Sequence, residues 1–488
     1  MLKQMNQQEL LNALKAHFSF SEFRGAQQEI LIHLYQNKNI LALMPTGLGK
    51  SLCYQLPAKL SENLVLVISP LIALMQDQVS KAREFGIRAT FINSSISREE
   101  KTRRLQQVAE NKIQLLFVTP ERFRNLEFRE TIKKIKVELL AIDEAHCASL
   151  WGHDFRPDYA KINEFRQFLG SPQTIALTAT ATPEVQKDIL KIIGIEDAQL
   201  IQSGMKRENL QIRIHDVYGL DEKIRGLFAL RHQVQGAAIY YFSLIDTLRK
   251  VSAGLRQLNI PHLVYHGDLS PQERKKNLNQ FMNEESPLML ATPAFGLGID
   301  KKNVHLLAHA EIPGSIESYF QEIGRAGRDG VLSECHLFYD QEDVSIQMEF
   351  LKWAYPEKQF IQKVYQLIEK NRLKVDQFGF DFLREQMVFK SRRDFRVESA
   401  VNILERWGCL EKNENSAFPF VCVREPTDEE FNLENNELLL KQQNTKLLEI
   451  LRLVTQTTDC RMLKIYQYFG LDSETECGIC DVCQGKQG

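Results

Sequence analysis

Apolar and polar positions change their spacing along the chain, and the change divides it into two regions. From Ile40 to Phe338, short apolar runs alternate with longer segments of helical periodicity. Strands that alternate with helices predict parallel sheets with both faces covered by helices. A polar stretch at Gly204–Asn209 separates two series of such strands, so we predict two α/β domains that meet there.

The predicted strands share short apolar runs bounded by polar or turn-forming residues. The first series consists of Ile40–Met44, Leu64–Ser69, Leu115–Thr119, Leu139–Ile142 and Thr174–Leu177. The second series consists of Ala237–Phe242, His262–Tyr265, Leu288–Ala291, Val304–Ala308 and Cys335–Phe338.

Beyond Gln341 the alternation stops and helical periodicity dominates. The elements predicted there are helices over Pro356–Arg372, Phe380–Phe389 and Phe395–Trp407, and strands over Leu410–Lys412 and Phe418–Arg424. Three helices and a hairpin fit a winged helix and a generic helical spacer equally well. An acidic stretch, Glu425–Glu437, then precedes a helical segment, Leu438–Phe469, with a predicted break near Thr457.

Composition narrows the class of protein. Hydrophobic residues make up 43% and charged residues 25%, values that are ordinary for a soluble globular chain. A net charge of −2 means that any nucleic-acid site must be a local patch or groove. The first residues lack a signal-peptide pattern and no apolar run is long enough to span a bilayer, so we expect an intracellular protein without a membrane contact.

A loop suited to phosphate follows the first predicted strand and precedes an apolar helix; it reads Pro45-Thr46-Gly47-Leu48-Gly49-Lys50-Ser51. Backbone amides of such a turn, with the helix N-terminus, can cradle phosphates. Lys50 would reach the β- and γ-phosphates of ATP, and the Ser51 hydroxyl would hold Mg²⁺. Met44 stands where the G-x-x-x-x-G-K-S pattern has its first glycine, so a chance loop remains an alternative until a partner motif is found.

The partner motif is Asp143-Glu144-Ala145-His146, which ends the predicted strand Leu139–Ile142. Carboxylates at the C-terminal edge of a parallel sheet lie where such sheets bind ligands. Asp143 can hold Mg²⁺ opposite Ser51, and Glu144 can orient and deprotonate the attacking water. An acid pair that merely caps a helix is the alternative.

An arginine-rich segment, Gln321-Glu322-Ile323-Gly324-Arg325-Ala326-Gly327-Arg328-Asp329, lies late in the second α/β domain. Arg325 and Arg328 stand three residues apart, with Gln321 nearby, and suit a γ-phosphate clamp supplied across a domain interface. A surface salt-bridge cluster is the alternative, and the nucleotide site on the other domain favours the clamp. Thr178-Ala179-Thr180 could couple the phosphate state to neighbouring loops.

Together these segments resemble the motifs of superfamily 2 helicases. Pro45–Ser51 looks like motif I and Asp143–His146 like the DEAH form of motif II. The further matches are Ser69–Gln78 with motif Ia, Leu177–Thr182 with motif III, Ala291–Asp300 with motif V and Gln321–Asp329 with motif VI. Departures stand at Leu48, Leu150 and Leu244, where the family commonly has a small residue, a glutamine and an arginine.

Two further segments are similar to the RecQ family within that superfamily. Phe23-Arg24-Gly25-Ala26-Gln27, with Phe20 upstream, resembles the adenine-reading motif, in which Arg24 would stack on the purine and Gln27 would hydrogen-bond its edge. Trp151–Tyr159 resembles the aromatic-rich loop. The residues expected to stack on unpaired bases or to meet phosphates are Trp151, His153, Phe155 and Arg156.

Four cysteines gather at the C-terminal end, at Cys460, Cys477, Cys480 and Cys483. Four thiolates can close a tetrahedral Zn²⁺ site, and the spacing resembles the RecQ zinc module. An iron–sulfur cluster and free thiols are the alternatives, and the x₃-C-P continuation of bacterial ferredoxins is absent from the sequence. We favour a structural zinc, because four protein ligands leave no open coordination position.

The resemblance implies two RecA-like domains at 1–205 and 206–345, a winged-helix-like region at 346–437 and a zinc module at 438–488. It also implies ATP- and Mg²⁺-driven 3′-to-5′ movement on single-stranded DNA, with unwinding of forked duplexes in repair or recombination. We expect a monomer in the cytoplasm or nucleoid; single-strand-binding and repair proteins as partners do not follow from the residues. A translocase that separates no strands, an RNA helicase and a binding module with an inactive motor remain alternatives.

The order of the C-terminal parts is unusual. In many RecQ proteins the zinc module follows the motor directly and a winged helix comes after it. Here another segment intervenes, and we hypothesise that 356–424 is a winged helix placed ahead of the zinc module. Ser391-Arg392-Arg393 and Arg396 would give it a basic edge against DNA phosphates, and a solvated charge run is the alternative.

Overall fold

The computed structural model describes residues 4–45, 47–149, 156, 158–231, 236–296, 299, 301–387, 394–412, 418–433, 436–471 and 473–486. The chain forms two compact units. The first unit consists of Met1–Glu311, Glu317–Tyr339 and Thr455–Gly488, and the second of Ile312–Ile316 and Asp340–Val454.

The first unit begins with a parallel sheet in the order β3-β4-β2-β5-β6-β1-β7. Its strands are β1 (Ile40–Leu43), β2 (Leu64–Ile68), β3 (Ala89–Ile92), β4 (Leu115–Val118), β5 (Val137–Ile142), β6 (Gln173–Thr178) and β7 (Gln199–Gln202). The helices are α1 (Gln7–Phe18), α2 (Gln27–Tyr35), α3 (Leu52–Leu60), α4 (Ile72–Glu84), α5 (Arg98–Ala109), α6 (Leu126–Ile132), α7 (Ile162–Phe168) and α8 (Pro183–Ile193).

Alternate residues of each central strand feed two separate cores, one on each face of this sheet. In β2, Val65 and Val67 lie in one core, whereas Leu66 and Ile68 lie in the other. Burial on both faces explains why the central strands read as unbroken apolar runs in the sequence. The predicted parallel sheet covered on both faces is confirmed.

A second parallel sheet in the same unit has the order β10-β11-β9-β12-β13-β8. Its strands are β8 (Leu210–Asp216), β9 (Ala237–Tyr241), β10 (Leu263–Tyr265), β11 (Leu288–Ala291), β12 (Val304–His309) and β13 (Ser333–Tyr339). The helices are α9 (Leu220–Arg231), α10 (Ile245–Gln257), α11 (Pro271–Asn283) and α12 (Ile316–Ile323). The predicted α/β fold class with two sheets is therefore confirmed.

Three strands were not predicted from the sequence: β3, β7 and β8. All three lie at edges of the two sheets. An edge strand has a neighbour on one side only, so it carries more polar residues than a central strand. The strand β7 exposes Gln199, Leu200 and Gln202, and β8 alternates apolar with polar residues, so neither presents an unbroken apolar run.

The second unit gathers helices and one hairpin around a core of its own. Its elements are α13 (Asp343–Ala354), α14 (Lys358–Lys370), α15 (Arg372–Met387), α16 (Arg396–Arg406), β14 (Leu410–Lys412), β15 (Phe420–Cys422), α17 (Asp428–Leu433) and α18 (Asn436–Thr455). Gly379, at φ 58°, kinks α15 where the predicted helix Phe380–Phe389 begins. Val397, Val401 and Leu404 of α16 are all buried, as their spacing predicts.

Two short helices, α19 (Arg461–Tyr468) and α20 (Asp481–Gly485), belong to the first unit. Cys460 precedes α19, Cys477 and Cys480 lie between the helices, and Cys483 lies in α20. The predicted break in Leu438–Phe469 falls between Thr455 and Arg461. The helix α18 belongs to the second unit and α19 to the first, whereas both were predicted within one zinc module. Among the described residues, no helix is long and apolar enough to cross a bilayer.

Candidate nucleotide site and cysteine cluster

The predicted phosphate loop connects β1 to α3, as its sequence context requires. Gly47 (φ +93°) and Gly49 (φ +74°) take backbone conformations that side chains disfavour. A Cβ atom at Gly49 would lie 2.6 Å from Nε2 of Gln27, so this position has no room for a side chain. Thr46, also predicted in the loop, lies outside the described residues.

The side chain of Gln27 holds the phosphate loop. Its amide nitrogen donates to the carbonyl oxygens of Leu48 and Gly49, both at 2.9 Å, and its Oε1 accepts the backbone N–H of Arg24 at 2.9 Å. Both amide hydrogens are thereby used, so only an Oε1 lone pair remains for a purine edge. The sequence reasoning gave Gln27 a contact with the base and missed this hold on the loop.

Lys50 and Glu144 face each other across the site, with Lys50 Nζ 3.8 Å from Glu144 Oε1. Lys50 Nζ is buried and has no hydrogen-bond partner among the described residues. A buried ammonium without such partners is costly, and phosphate oxygens would satisfy it. The loop and its buried lysine therefore suit the phosphates of a nucleoside triphosphate.

The acid pair lies at the C-terminal end of β5. Glu144 takes a left-handed conformation (φ 49°, ψ 49°), and its backbone N–H donates to Asp143 Oδ1 at 3.1 Å. The hydroxyl of Ser69 donates to Asp143 Oδ2 at 3.4 Å. Burial, helped by the neighbouring Glu144 charge, raises the pKa of Asp143 to about 6, and the Lys50 ammonium opposes that rise.

One cavity of about 630 Å³, within the size range of small-molecule sites, joins the predicted residues. The first sheet's side of its lining includes Phe20, Arg24, Gln27, Gly47, Gly49, Lys50, Ser51, Asp143 and Glu144, and the second sheet's side includes Gln321, Arg325 and Arg328. Ser51 and Asp143 are an oxygen pair of the kind that Mg²⁺ uses beside a nucleotide. All the predicted catalytic residues thus line the same cavity.

The two arginines reach this cavity in different ways. Arg328 lies against the phosphate loop, because a Cβ atom at Gly47 would lie 3.1 Å from its Cδ. Arg325 is 4% exposed and donates to the carbonyl of Gly296, while its Nε has no hydrogen-bond partner among the described residues. Arg328 is therefore the arginine that directly contacts the phosphate loop in this structure.

The threonine turn contacts the acid motif. His146 Nδ1 lies 2.9 Å from the hydroxyl of Thr178, which in turn donates to the carbonyl of Thr180 at 3.1 Å.

The four predicted thiols meet at one place. The Sγ atoms of Cys460, Cys477, Cys480 and Cys483 all lie within 4.8 Å of one another. Zn–S bonds of about 2.3 Å in a tetrahedron separate sulfurs by about 3.8 Å, so the cluster needs little contraction to hold zinc. The backbone N–H groups of Cys477 and Cys480 donate to the sulfurs of Cys460 and Cys477, at 3.2 and 3.4 Å.

Comparison with known families matches three regions of the chain. The DEAD/DEAH box helicase family matches residues 24–189, the helicase conserved C-terminal domain matches 220–330, and the RecQ zinc-binding family matches 423–484. RecS of Bacillus subtilis, named a probable ATP-dependent DNA helicase, is 34% identical over 74% of this chain and 73% of its own length. The chain belongs to the RecQ family of ATP-dependent DNA helicases.

Other RecQ relatives are longer than the region they share with this chain. The ATP-dependent DNA helicase RecQ of Bacillus subtilis is 41% identical over 73% of this chain, and that of Haemophilus influenzae is 36% identical over 72%. The chain spans 61% and 57% of the lengths of these two relatives.

Solved structures share the fold of this RecQ chain at low sequence identity. Dbp5 of S. cerevisiae, bound to RNA and ADP BeF3, aligns with a TM-score of 0.56 and 20% identity, over 70% of this chain and 90% of its own. The helicase MrfA bound to DNA aligns with a TM-score of 0.58 and 17% identity, over 87% of this chain and 60% of its own. These likenesses show the fold alone.

The aromatic-rich loop of this RecQ chain falls mostly outside the described residues, including Trp151, His153 and Phe155. Arg156 is described: its backbone N–H donates to the carbonyl of Cys147 at 2.9 Å and its guanidinium to that of Pro70 at 3.2 Å. The buried hydroxyl of Tyr159 donates to the carbonyl of Asp143 at 2.9 Å. The end of the loop is thus anchored to the acid motif.

Sequence reasoning missed several residues of the site. Tyr159 was quoted only as part of the aromatic motif, and its position two residues after a proline gave no sign of its bond to Asp143. Ser69, which bonds the same residue, ends a predicted strand on the same sheet, and that position was the available signal. Leu48, the departure in the phosphate loop, packs against Gly204, where the absence of a side chain makes room for it.

Proposed function

We propose that this chain is an ATP-driven motor that moves 3′ to 5′ along single-stranded DNA and unwinds duplexes in DNA repair or recombination. The observation that carries the proposal is the position of Arg328, on the second sheet, against Gly47 in the phosphate loop of the first. Closure of two sheets on one triphosphate is how such a motor turns hydrolysis into movement. The names of the RecQ relatives support DNA as the track.

The chain's own residues divide the work of hydrolysis. Lys50 binds the β- and γ-phosphates, and Ser51 and Asp143 hold Mg²⁺, which supplies charge neutralisation at the phosphates when bound. Glu144 orients the attacking water and accepts its proton. Charge that develops on the γ-phosphate is stabilised from the second sheet by the side chains of Gln321, Arg325 and Arg328.

Adenine is held at the other end of the cavity. Phe20 is 42% exposed and lies beside Phe85, with ring centroids 5.9 Å apart, and Arg24 lines the same region. Stacking of the purine on these groups, with one hydrogen bond to Gln27 Oε1, would select the base.

DNA contact is assigned to the aromatic-rich loop, with Trp151, His153, Phe155 and Arg156 as the contacting residues. Arg156 bonds the Cys147 carbonyl, and Tyr159 bonds the Asp143 carbonyl. These bonds support the role, because DNA bound to the loop would act on residues that contact the acid motif. The cysteine cluster holds a structural Zn²⁺, which links α19 to α20 when bound.

The segment 346–437 is proposed as the winged-helix-like region. The chain is further proposed to work as a monomer in the cytoplasm or nucleoid. Three helices and the β14–β15 hairpin on one core support it. The basic residues Arg392 and Arg393 lie outside the described residues, whereas Arg396 opens α16 and forms an ion pair with Asp394. Reversal of the charges of Arg392 and Arg393 is expected to weaken duplex binding and spare ATPase activity on single strands; unchanged duplex affinity would remove the idea.

The decisive experiment is strand displacement on duplexes with a 3′ or a 5′ single-stranded tail, with and without ATP. The proposal expects ATP-dependent displacement of the 3′-tailed duplex only. ATPase activity without displacement would identify a translocase that separates no strands. Stimulation of ATP turnover by RNA rather than DNA would identify an RNA helicase, and DNA binding without turnover an inactive motor.

A further inference from the structure

Arg207 connects three parts of the first unit. It lies in the polar segment between the two sheets, and the sequence did not predict a role for its side chain. Its guanidinium donates to the carbonyl oxygens of Gly324 (3.2 Å), Ala326 (2.6 Å) and Gly327 (3.2 Å). These carbonyls belong to the turn after α12, which also carries the two pocket arginines.

The physical effect of these bonds is to restrain a turn that is also held by backbone hydrogen bonds, among them one from the Gly327 N–H to the Val304 carbonyl at 2.9 Å. The carbonyl oxygens that Arg207 bonds lie beyond the last residue of α12, and the guanidinium supplies hydrogen-bond donors for them. Asn209 adds two bonds to the same turn, to Gly327 at 2.8 Å and to Val331 at 2.9 Å. Arg325 and Arg328 sit inside the segment that Arg207 and Asn209 tie down.

The zinc module holds Arg207 in turn. The backbone N–H of Arg207 donates to the hydroxyl of Tyr466, on α19, at 2.6 Å. Phe469 at the end of α19 packs against Phe320 of α12, with ring centroids 5.3 Å apart. The module therefore contacts both the linker that carries Arg207 and the helix that leads into the turn with the pocket arginines.

A third contact joins the cysteine cluster to the second sheet. Asp481, between two cysteines of the cluster, accepts the backbone N–H of Ile214 on β8 at 3.2 Å and pairs with Arg461 at 3.1 Å. The edge strand β8 follows directly after Arg207 and Asn209. The zinc module thus contacts the linker at Arg207, through Tyr466, and the strand that follows the linker at Ile214, through Asp481.

From this arrangement we propose that Arg207 is a positioning residue for ATP hydrolysis, and that Tyr466 of the zinc module holds it in place. Arg207 does not line the nucleotide cavity; it acts by fixing the turn from which Arg328 reaches the phosphate loop. The inference rests on the proposed function, because it needs a hydrolysis step that depends on these arginines.

The test compares full-length Arg207→Gln, Arg207→Lys and Tyr466→Phe with a matched control, Arg166→Gln. Arg166 is also half-buried and donates to a backbone carbonyl after a helix, that of Gly194 at 3.1 Å, but lies away from the nucleotide cavity. For Arg207→Gln we expect kcat with DNA to fall by about tenfold or more with KM for ATP little changed, since misplacing a reacting group costs turnover. The lysine variant should recover part of the loss, and Tyr466→Phe should lose a few-fold.

Three further measurements separate positioning from general damage. Zinc content and thermal unfolding of Tyr466→Phe should match the wild type. Affinity for ADP should be kept in Arg207→Gln, whereas affinity for ADP with aluminium fluoride, a mimic of the transferring phosphate, should fall. Hydrogen exchange over residues 320–330 should speed up in Arg207→Gln and Tyr466→Phe and not in Arg166→Gln.

The outcomes distinguish this inference from the proposed function. A wild type without DNA-stimulated ATPase activity would remove the proposed function, while hydrogen exchange would still report whether Arg207 holds the turn. A wild type that hydrolyses ATP, with Arg207→Gln equal to it in kcat and exchange, would overturn the inference alone. A loss in Arg207→Gln that Arg166→Gln reproduces in kcat and unfolding temperature would also overturn it.

Discussion

Gln27 donates a hydrogen bond of 2.9 Å to the carbonyl of Gly49, and its amide fills the space that a side chain at Gly49 would need. The first residue of α2 thus holds the turn that precedes α3. The bond links the expected base-binding segment to the phosphate loop. The base and the phosphates of one nucleotide would therefore bind to two segments that are hydrogen-bonded to each other.

Gln27→Ala should weaken binding of the phosphates as well as of the base. Two hydrogen bonds to the loop are lost, each contributing about 1 kcal/mol, so we expect the affinity for ATP to fall by roughly 30-fold. Inorganic tripolyphosphate, which has no base, should lose affinity by a similar factor, measured as competition against a fluorescent nucleotide. A matched control is Gln36→Ala, at an exposed position beyond α2. If tripolyphosphate binds the variant as well as the wild type, Gln27 reads the base instead.

Glu144→Gln should bind ATP and DNA and lose turnover. The amide cannot accept the proton of the attacking water, and general-base loss costs about 100- to 10,000-fold in rate. Single-turnover hydrolysis and nucleotide binding, measured on the same preparation, separate the two effects. Retained hydrolysis would contradict the assignment of Glu144 as the base. Lys50→Ala is the companion variant, and it should lose nucleotide affinity as well, because the buried Lys50 ammonium is the proposed partner of the phosphates.

Arg328→Ala should lower kcat by about a thousandfold, the effect typical of an arginine that stabilises phosphoryl transfer. Arg328 touches the phosphate loop from the second sheet, so its loss removes charge stabilisation without emptying the pocket. Steady-state ATPase assays with saturating DNA measure the change. The control is Arg103→Ala, an exposed arginine of α5 paired with Glu100, which should leave turnover intact. Equal turnover in the wild type and Arg328→Ala would rule out the two-sheet clamp.

Metal analysis of the purified chain should find one zinc per molecule. Cys460→Ser removes one of the four thiols and should lower both the zinc content and the temperature of unfolding, because structural zinc contributes directly to folding. Cys422→Ser, in the second unit and outside the cluster, serves as the control and should keep the metal. Iron with visible absorbance would show a different metal in the cluster, and full zinc content in Cys460→Ser would exclude that ligand.

The fold class and the segments that line the cavity could both be predicted from the sequence. Lys50, Glu144 and Arg328 stand in motifs whose residue spacing is uncommon by chance. The spacing indicates a phosphate site without a structure, because few arrangements of residues can bind and cleave a phosphate. The edge strands β7 and β8 were not predicted, because polar residues interrupt the apolar run in each. The helix α13 was not predicted either. The bond from Tyr159 to the Asp143 carbonyl was equally unreadable, because it joins residues whose proximity depends on how the chain turns after β5.

The sequence by itself determined which chemical groups are present: a lysine and two acids beside a glycine turn, arginines at a fixed spacing, and four thiols. Short segments are enough to identify these groups, because the strand-turn-helix context and the motif spacing are properties of short segments. Only the tertiary structure decided which of these groups meet. Gln27 holds the phosphate loop, Arg207 bonds the arginine turn at Gly324 from 117 residues away in the sequence, and Tyr466 accepts a bond from Arg207 across 259 residues. Such contacts depend on how whole sheets and helices pack, and packing is decided by the complete chain rather than by any segment of it.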